Sequence, residues 1–142
     1  MSPAENEHAL VGAYSIIADP HERLAAIVSS CSGPGIPESG RGEEDIVTGC
    51  VSRVWLSASV EDGALQLRWE ADSPLVKGLT GLICRVFAGS KPDEAAAHQT
   101  AILTSLHLDR QLSPTRLNGL ENVARRIRLL AAASCGGTGG RI

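Results

Sequence analysis

The side chains best suited to nucleophilic sulfur chemistry in this 142-residue chain are its four cysteines, Cys31, Cys50, Cys84 and Cys135. They are widely spaced and form no C-x-x-C pair, and His8, His21, His98 and His107 hold no ligand spacing relative to them. A structural zinc site needs four converging ligands, often in close pairs, and an iron–sulfur cluster is held by several cysteines, so the spacing does not favour a metal protein or a cluster scaffold. A disulfide framework is not expected either. The chain is long for one, and Met1-Ser2-Pro3-Ala4-Glu5 has no basic segment running into an apolar stretch as a secretory signal would. The spacing therefore leaves four single cysteines, each free to pack or to react.

Cys50 is placed differently from the other three. It follows Gly49 between a polar loop and a strand, where a rigid edge can present a side chain. The same position suits a small packed residue, because free cysteine is among the most buried types. Position leaves both readings open. Cys84 falls on the flank of an apolar helix face and reads as packing. Cys31 lies at a helix end beside the loop, where adventitious oxidation with Cys50 is conceivable, and Cys135 sits in the tail.

The elements that must hold Cys50 are legible from caps and periodicity. Residues 5–17 read as a short helix with Leu10, Tyr14 and Ile17 along one side. Asp19-Pro20-His21-Glu22 starts a second helix: Asp19 caps it, Pro20 takes the first turn where no N–H is needed, and Leu24, Ile27 and Val28 form its apolar face. Residues 32–45 are rich in Gly, Pro, Ser and charge and predict a long loop. Val54, Leu56, Ala58 and Val60, then Leu65, Leu67, Trp69 and Ala71, alternate with polar positions around Asp62-Gly63, a favoured turn pair, which predicts an antiparallel hairpin. Trp55 and Trp69 read as core or interface residues. Ser73-Pro74 begins a helix ending near Gly89, Pro92 a short one, residues 99–106 another, and Ser113-Pro114 the last. Helices around a small antiparallel sheet make the class α+β. The domain is expected over residues 1–134, with a flexible Gly-rich tail at 135–142.

Composition bounds the function. The net charge of −3 argues against general nucleic-acid binding. Residues 1–45 hold Glu5, Glu7, Asp19, Glu22, Glu38, Glu43, Glu44 and Asp45 against Arg23 and Arg41, so the rest of the chain is basic, much of it in Arg116, Arg125, Arg126 and Arg128. No apolar run approaches the roughly 20 residues of a membrane span. A soluble, cytoplasmic protein without membrane contact is the expectation.

Three segments carry a resemblance. Gly49-Cys50-Val51-Ser52-Arg53-Val54-Trp55-Leu56 resembles the G-C-x-S-x-V-W-L signature of the SufE family of sulfur-acceptor proteins. Asp72-Ser73-Pro74-Leu75-Val76-Lys77-Gly78-Leu79 is similar to that family's D-S-x-x-x-V-K-G-L pattern, one residue shorter, and Leu112-Ser113-Pro114-Thr115-Arg116-Leu117-Asn118-Gly119-Leu120 to its L-S-P-S-R-x-N-G-L block. The three occur in the family's order. The chain departs at Thr48, where the family has Pro, at Val51, where a polar residue is usual, at Gly33-Pro34-Gly35-Ile36-Pro37, and at Pro74.

The resemblance implies a SufE-like fold, a hairpin plus a short third strand packed with helices. It implies that Cys50 accepts persulfide sulfur from a pyridoxal-phosphate cysteine desulfurase of the SufS/CsdA type. The carrier would stimulate that enzyme and deliver sulfur to an iron–sulfur scaffold or another downstream acceptor. The chain is then not an enzyme in the strict sense and holds no cofactor of its own, since pyridoxal phosphate belongs to the partner. Cys50 is the expected catalytic residue, with Arg116, Lys77, Asp72, Ser52 and Arg53 as candidates to bind the partner or support the thiolate. Arg116 falls on the apolar side of its helix, where it either supports Cys50 or the desulfurase contact, or is an ion pair or a snorkelling side chain. Lys77 is a candidate contact too, but a solvated lysine is the stronger reading there. The alternatives are a regulatory desulfurase-binding module without a relay and, less favoured, a cluster scaffold.

Overall fold

The computed structural model describes residues 1–49, 51–135 and 140–141. Helix α1 (Pro3–Ser15) begins earlier than the periodicity predicts, because Ser2 and Glu5 close a capping box: the Glu5 N–H donates to Ser2 Oγ at 3.2 Å and the Ser2 N–H to Glu5 Oε1 at 2.9 Å. Helix α2 (Pro20–Cys31) is capped as expected, Asp19 accepting the N–H groups of His21 and Glu22 at 2.8 and 3.1 Å. Strands β1 (Val54–Glu61) and β2 (Ala64–Ala71) pair antiparallel from Val54↔Ala71 to Glu61↔Ala64. The Asp62-Gly63 turn between them has positive φ at both residues, 52° and 78°, as a two-residue hairpin of the right twist requires. Helices α3 (Pro74–Phe87), α4 (Pro92–Ala97), α5 (Ile102–Ser105) and α6 (Pro114–Ser134) follow. Beyond them, Gly140–Arg141 form β3, pairing with Val60 and Ser59 to give the sheet order β2-β1-β3. The class is α+β.

Helix α5 is shorter than the helical stretch predicted over 99–106. Its approach is occupied by Glu7 of α1, which accepts from Thr100 Oγ1 at 2.5 Å and from the Ala101 N–H at 3.1 Å, and whose carboxylate lies 2.9 Å from His98 Nε2. His107, at φ 59°, ends it.

Helix α3 is the hub of the core. Leu79, Leu82, Ile83, Val86 and Phe87 are all fully buried, against Leu56, Ala58 and Leu65 of the sheet and Val123, Ile127 and Ala131 of α6. At ~1.5–3 kcal/mol for each fully buried large side chain, those five contribute on the order of 10 kcal/mol of transfer free energy, as an upper estimate. That outweighs the helix-propensity cost of Gly78 and Gly81, about 1 kcal/mol each. Both glycines are there for close approach. A Cβ at Gly78 would lie 2.6 Å from Val28 Cα, and one at Gly81 would overlap the Cys31 carbonyl oxygen.

The hairpin's second face departs from simple alternation. Trp55 and Glu70, on the face the pattern assigns to polar residues, are only 6% and 8% exposed. The loop that precedes the hairpin folds over them. It contains two single 3-10 turns, Glu38–Gly40 and Glu43–Asp45, buries Ile36, and ends in an antiparallel bridge between Ile46 and Trp55. Among the described residues, no helix is long and apolar enough to cross a membrane.

Candidate functional site

Cys50 itself lies outside the described residues, and its setting is defined by what flanks it. The Val47 N–H donates to Val54 O at 2.8 Å, next to the Ile46↔Trp55 bridge, so the two stems of the segment that carries Cys50 are joined at their base. On the incoming side Gly49 has φ +85° and rests on α6, where a Cβ would overlap Asn122 Nδ2. Only glycine meets both conditions without strain. On the outgoing side Arg53 is held twice by Asp72. Arg53 Nε donates to Asp72 Oδ2 at 3.0 Å, and the Asp72 N–H donates to Arg53 O at 3.1 Å.

Two recesses flank the loop. The first, a cavity of about 20 Å³, lies between the loop and the α3 and α6 helices and is lined by Val51, Ser52, Val54, Leu79, Arg116 and Leu120 among others. That is room for roughly one water-sized group, since about 10–15 Å³ suffices for a water. Its wall is apolar apart from the Ser52 and Thr115 hydroxyls and the half-buried Arg116. The second, about 120 Å³, is bordered by Val47, Thr48, Asn122, Arg125, Arg126 and Leu129. Val51 is 79% exposed, an apolar side chain facing solvent beside Cys50.

The candidate residues divide. Ser52 and Arg116 meet at the apolar cavity, and Arg53 and Asp72 meet at the loop's base. Lys77 is elsewhere: its ammonium lies 3.3 Å from Glu70 Oε1, while its neighbours Val76 and Leu79 face the cavity. It is neither freely solvated nor at the Cys50 loop. Among the described residues the Arg116 guanidinium has no ion pair or hydrogen bond, so the ion pair that sequence reasoning allowed is absent there.

Two contributors, Glu70 and Asn122, escape sequence reasoning, and a third, Trp55, reads there only as a core or interface residue. Glu70 binds the covering loop, Asn122 supports Gly49, and Trp55 lies beneath the guanidinium groups of both Arg41 and Arg53, at 5.2 and 5.5 Å from its ring centre. Glu70 sits in a polar slot of an alternating strand, which in sequence signals solvent. Trp55 stands inside the G-C-x-S-x-V-W-L block, the one signal that marked it.

The other cysteines are placed for packing. Cys84 is fully buried, and burial pushes its thiol far above the ordinary range. Cys31 is 1% exposed, its sulfur 3.3 Å from the Tyr14 hydroxyl and accepting from Arg85 Nη1 at 3.4 Å. It faces the core rather than the covering loop. Burial raises the Tyr14 hydroxyl pKa, and the contact with Cys31 adds to that. Among the described residues no three His, Cys, Asp or Glu side chains converge as metal ligands.

Residues 8–131 match the SufE family, described as an Fe-S metabolism associated domain. The chain belongs to the SufE family. A SufE-like protein of Rhizobium meliloti is 34% identical over 100 residues, covering 67% of this chain and 71% of that protein. A SufE-like protein of Synechocystis is 32% identical over 96 residues, covering 68% of this chain and 60% of that one. The fold is shared with the solution structure of a hypothetical protein from Thermus thermophilus, at a TM-score of 0.77 and 21% identity, over 96% of this chain and all of that one. SufE membership gives the chain a sulfur-transfer accessory role in iron–sulfur metabolism, in a family associated with cysteine desulfurase partners.

Proposed function

We propose that this SufE protein accepts sulfur on Cys50 from the persulfide of a pyridoxal-phosphate cysteine desulfurase, stimulates that enzyme, and passes the sulfur to iron–sulfur cluster assembly. The Cys50 thiolate attacks the outer sulfur of the donor persulfide. A new S–S bond forms to Cys50 while the donor's S–S bond breaks, and the donor cysteine leaves as thiolate, so no net oxidation occurs. Handing the sulfur on repeats the same step with Cys50 as the leaving thiolate.

The observation that carries this reading is the setting on either side of Cys50: Gly49 and Arg53 are both held in place, and Val51 and Ser52 line an apolar cavity with space for about one water-sized group. A sulfane sulfur needs little more volume than a water. Apolar walls withhold it from water-borne oxidants and thiols, which would otherwise consume an exposed persulfide. Arg116 lines the same cavity as Val51 and Ser52, and a cation there would favour a thiolate brought into it. Exposed Val51 gives the docking enzyme an apolar contact beside the reacting sulfur.

Incubating the reduced protein with a desulfurase and cysteine, then mapping mass by peptide, tests the relay. The expected result is a one-sulfur gain on Cys50 that disappears in Cys50→Ser. No gain there, or equal gain on Cys31 and Cys84, refutes it. If Cys50→Ser still stimulates the desulfurase fully while no persulfide ever forms, the protein is a regulatory module. A stable brown chromophore after anaerobic iron and sulfide reconstitution would point to a scaffold instead.

A further inference from the structure

We propose that Glu70 is a positioning residue for the stems of the Cys50 segment, locking the covering loop over Trp55 and thereby holding Ile46, Val47 and Arg53 in place. This rests on Cys50 being the reacting thiol, and it goes beyond that by assigning control of the thiol's exposure to a carboxylate on a different strand.

A buried carboxylate is costly unless it is paired and hydrogen-bonded. Glu70 is both. Oε2 accepts from the Ile36 N–H at 3.1 Å and lies 3.5 Å from Arg41 Nη2, while Oε1 accepts from the Ala71 N–H at 3.1 Å and lies 3.3 Å from Lys77 Nζ. Two of these partners, Ile36 and Arg41, belong to the covering loop, and Lys77 belongs to α3. Gly35, at φ +77°, lets the loop backbone press on this site, since a Cβ there would overlap Glu70 Oε2 and stand 2.9 Å from Lys77 Nζ. Well-packed apolar residues stabilise a core as well as or better than a buried ion pair. What the pair adds here is one fixed position for a Gly/Pro-rich segment that could otherwise take many.

The connection to Cys50 runs through Trp55. Glu70 and Trp55 are cross-strand partners in the hairpin register. Arg41 ties the loop to itself, Nε donating to Ile36 O at 2.8 Å, and its guanidinium lies over the Trp55 ring. The Arg53 guanidinium lies over the same ring, and Arg53 is the outgoing stem of the Cys50 loop. The covering loop's last residues, Ile46 and Val47, are the incoming stem, bonded to Trp55 and Val54. Both stems therefore lean on a surface whose far side is anchored by Glu70. Releasing the anchor frees one stem directly and removes the arginine beside the other.

The test uses the full chain, reduced, with iodoacetamide as probe and peptide mass mapping as readout. In Glu70→Gln, which keeps the shape and one acceptor but loses the charge, Cys50 alkylation should accelerate on the order of tenfold, as for a local opening set by one buried charge-assisted contact. Cys84, fully buried on the core side of α3, reports global opening and should be unchanged. Arg41→Met should reproduce the acceleration, and the double variant should add little, because both act through one contact. Arg41→Met also serves if Glu70→Gln does not fold. An unchanged Cys50 rate in both variants overturns the proposal, as does acceleration of Cys50 and Cys84 together. The readout needs no sulfur donor. If the wild-type protein never accepts sulfur while both variants show this selective acceleration, the relay is refuted and the positioning role is kept.

Discussion

Asp72 grips Arg53 at two points, its carboxylate on the guanidinium at 3.0 Å and its backbone N–H on the Arg53 carbonyl at 3.1 Å. The two contacts differ in worth. The ion pair is open to solvent, with side chains 69% and 44% exposed, so it is screened and contributes about 0–1 kcal/mol. Asp72→Ala should therefore lower unfolding stability by no more than about 1 kcal/mol in a urea titration, because the backbone bond survives. A loss above roughly 2 kcal/mol would mean that the carboxylate does more than pair with Arg53.

Gly49 carries a sharper constraint. Its positive φ and its seat on Asn122 both exclude a side chain. Gly49→Ala should cost about 1–3 kcal/mol, the combined effect of a left-handed alanine and overpacking. Adding Asn122→Ala should recover part of that cost by removing the overlap but not the φ strain. A strictly additive double variant would show that Asn122 yields freely.

Acid titrates the Glu70 anchor. Burial alone would raise its pKa, but the N–H groups of Ala71 and Ile36 and the Lys77 ammonium more than offset this, so the carboxyl lies below its ordinary 4.5. A depressed folded-state pKa means stability that is fully present above the unfolded value and lost as pH falls through the folded one. The stability gap between wild type and Glu70→Gln should be constant at neutral pH and close below about pH 4.5. A gap independent of pH down to acid unfolding would contradict the ionised anchor.

Arg116 should act on the thiol and not on the fold. In Arg116→Ala the alkylation–pH profile of Cys50 should move to higher pH, since a neighbouring cation stabilises thiolate. Stability should change by less than about 1 kcal/mol, because the guanidinium has no described partner to lose. An unmoved profile removes its electrostatic role.

Sequence by itself determined those features that depend on neighbours along the chain. Asp19-Pro20, Ser73-Pro74 and Ser113-Pro114 each combine a side-chain cap with a residue that needs no N–H, and each starts a helix where expected. Asp62-Gly63 between two alternating runs specifies the hairpin and its register. The block from Gly49 to Leu56, with two others in order, marks the family. Only the tertiary structure decided what covers what. Glu70 and Lys77 stand in slots that periodicity assigns to solvent, and they became an anchor because a loop some 35 residues earlier in the chain folds across β2. Asn122 supports Gly49 from a helix that begins more than 60 residues later. Local pattern reports which side of an element is polar. Whether that side meets water or another segment depends on long-range packing, to which alternation and helical period carry no signal.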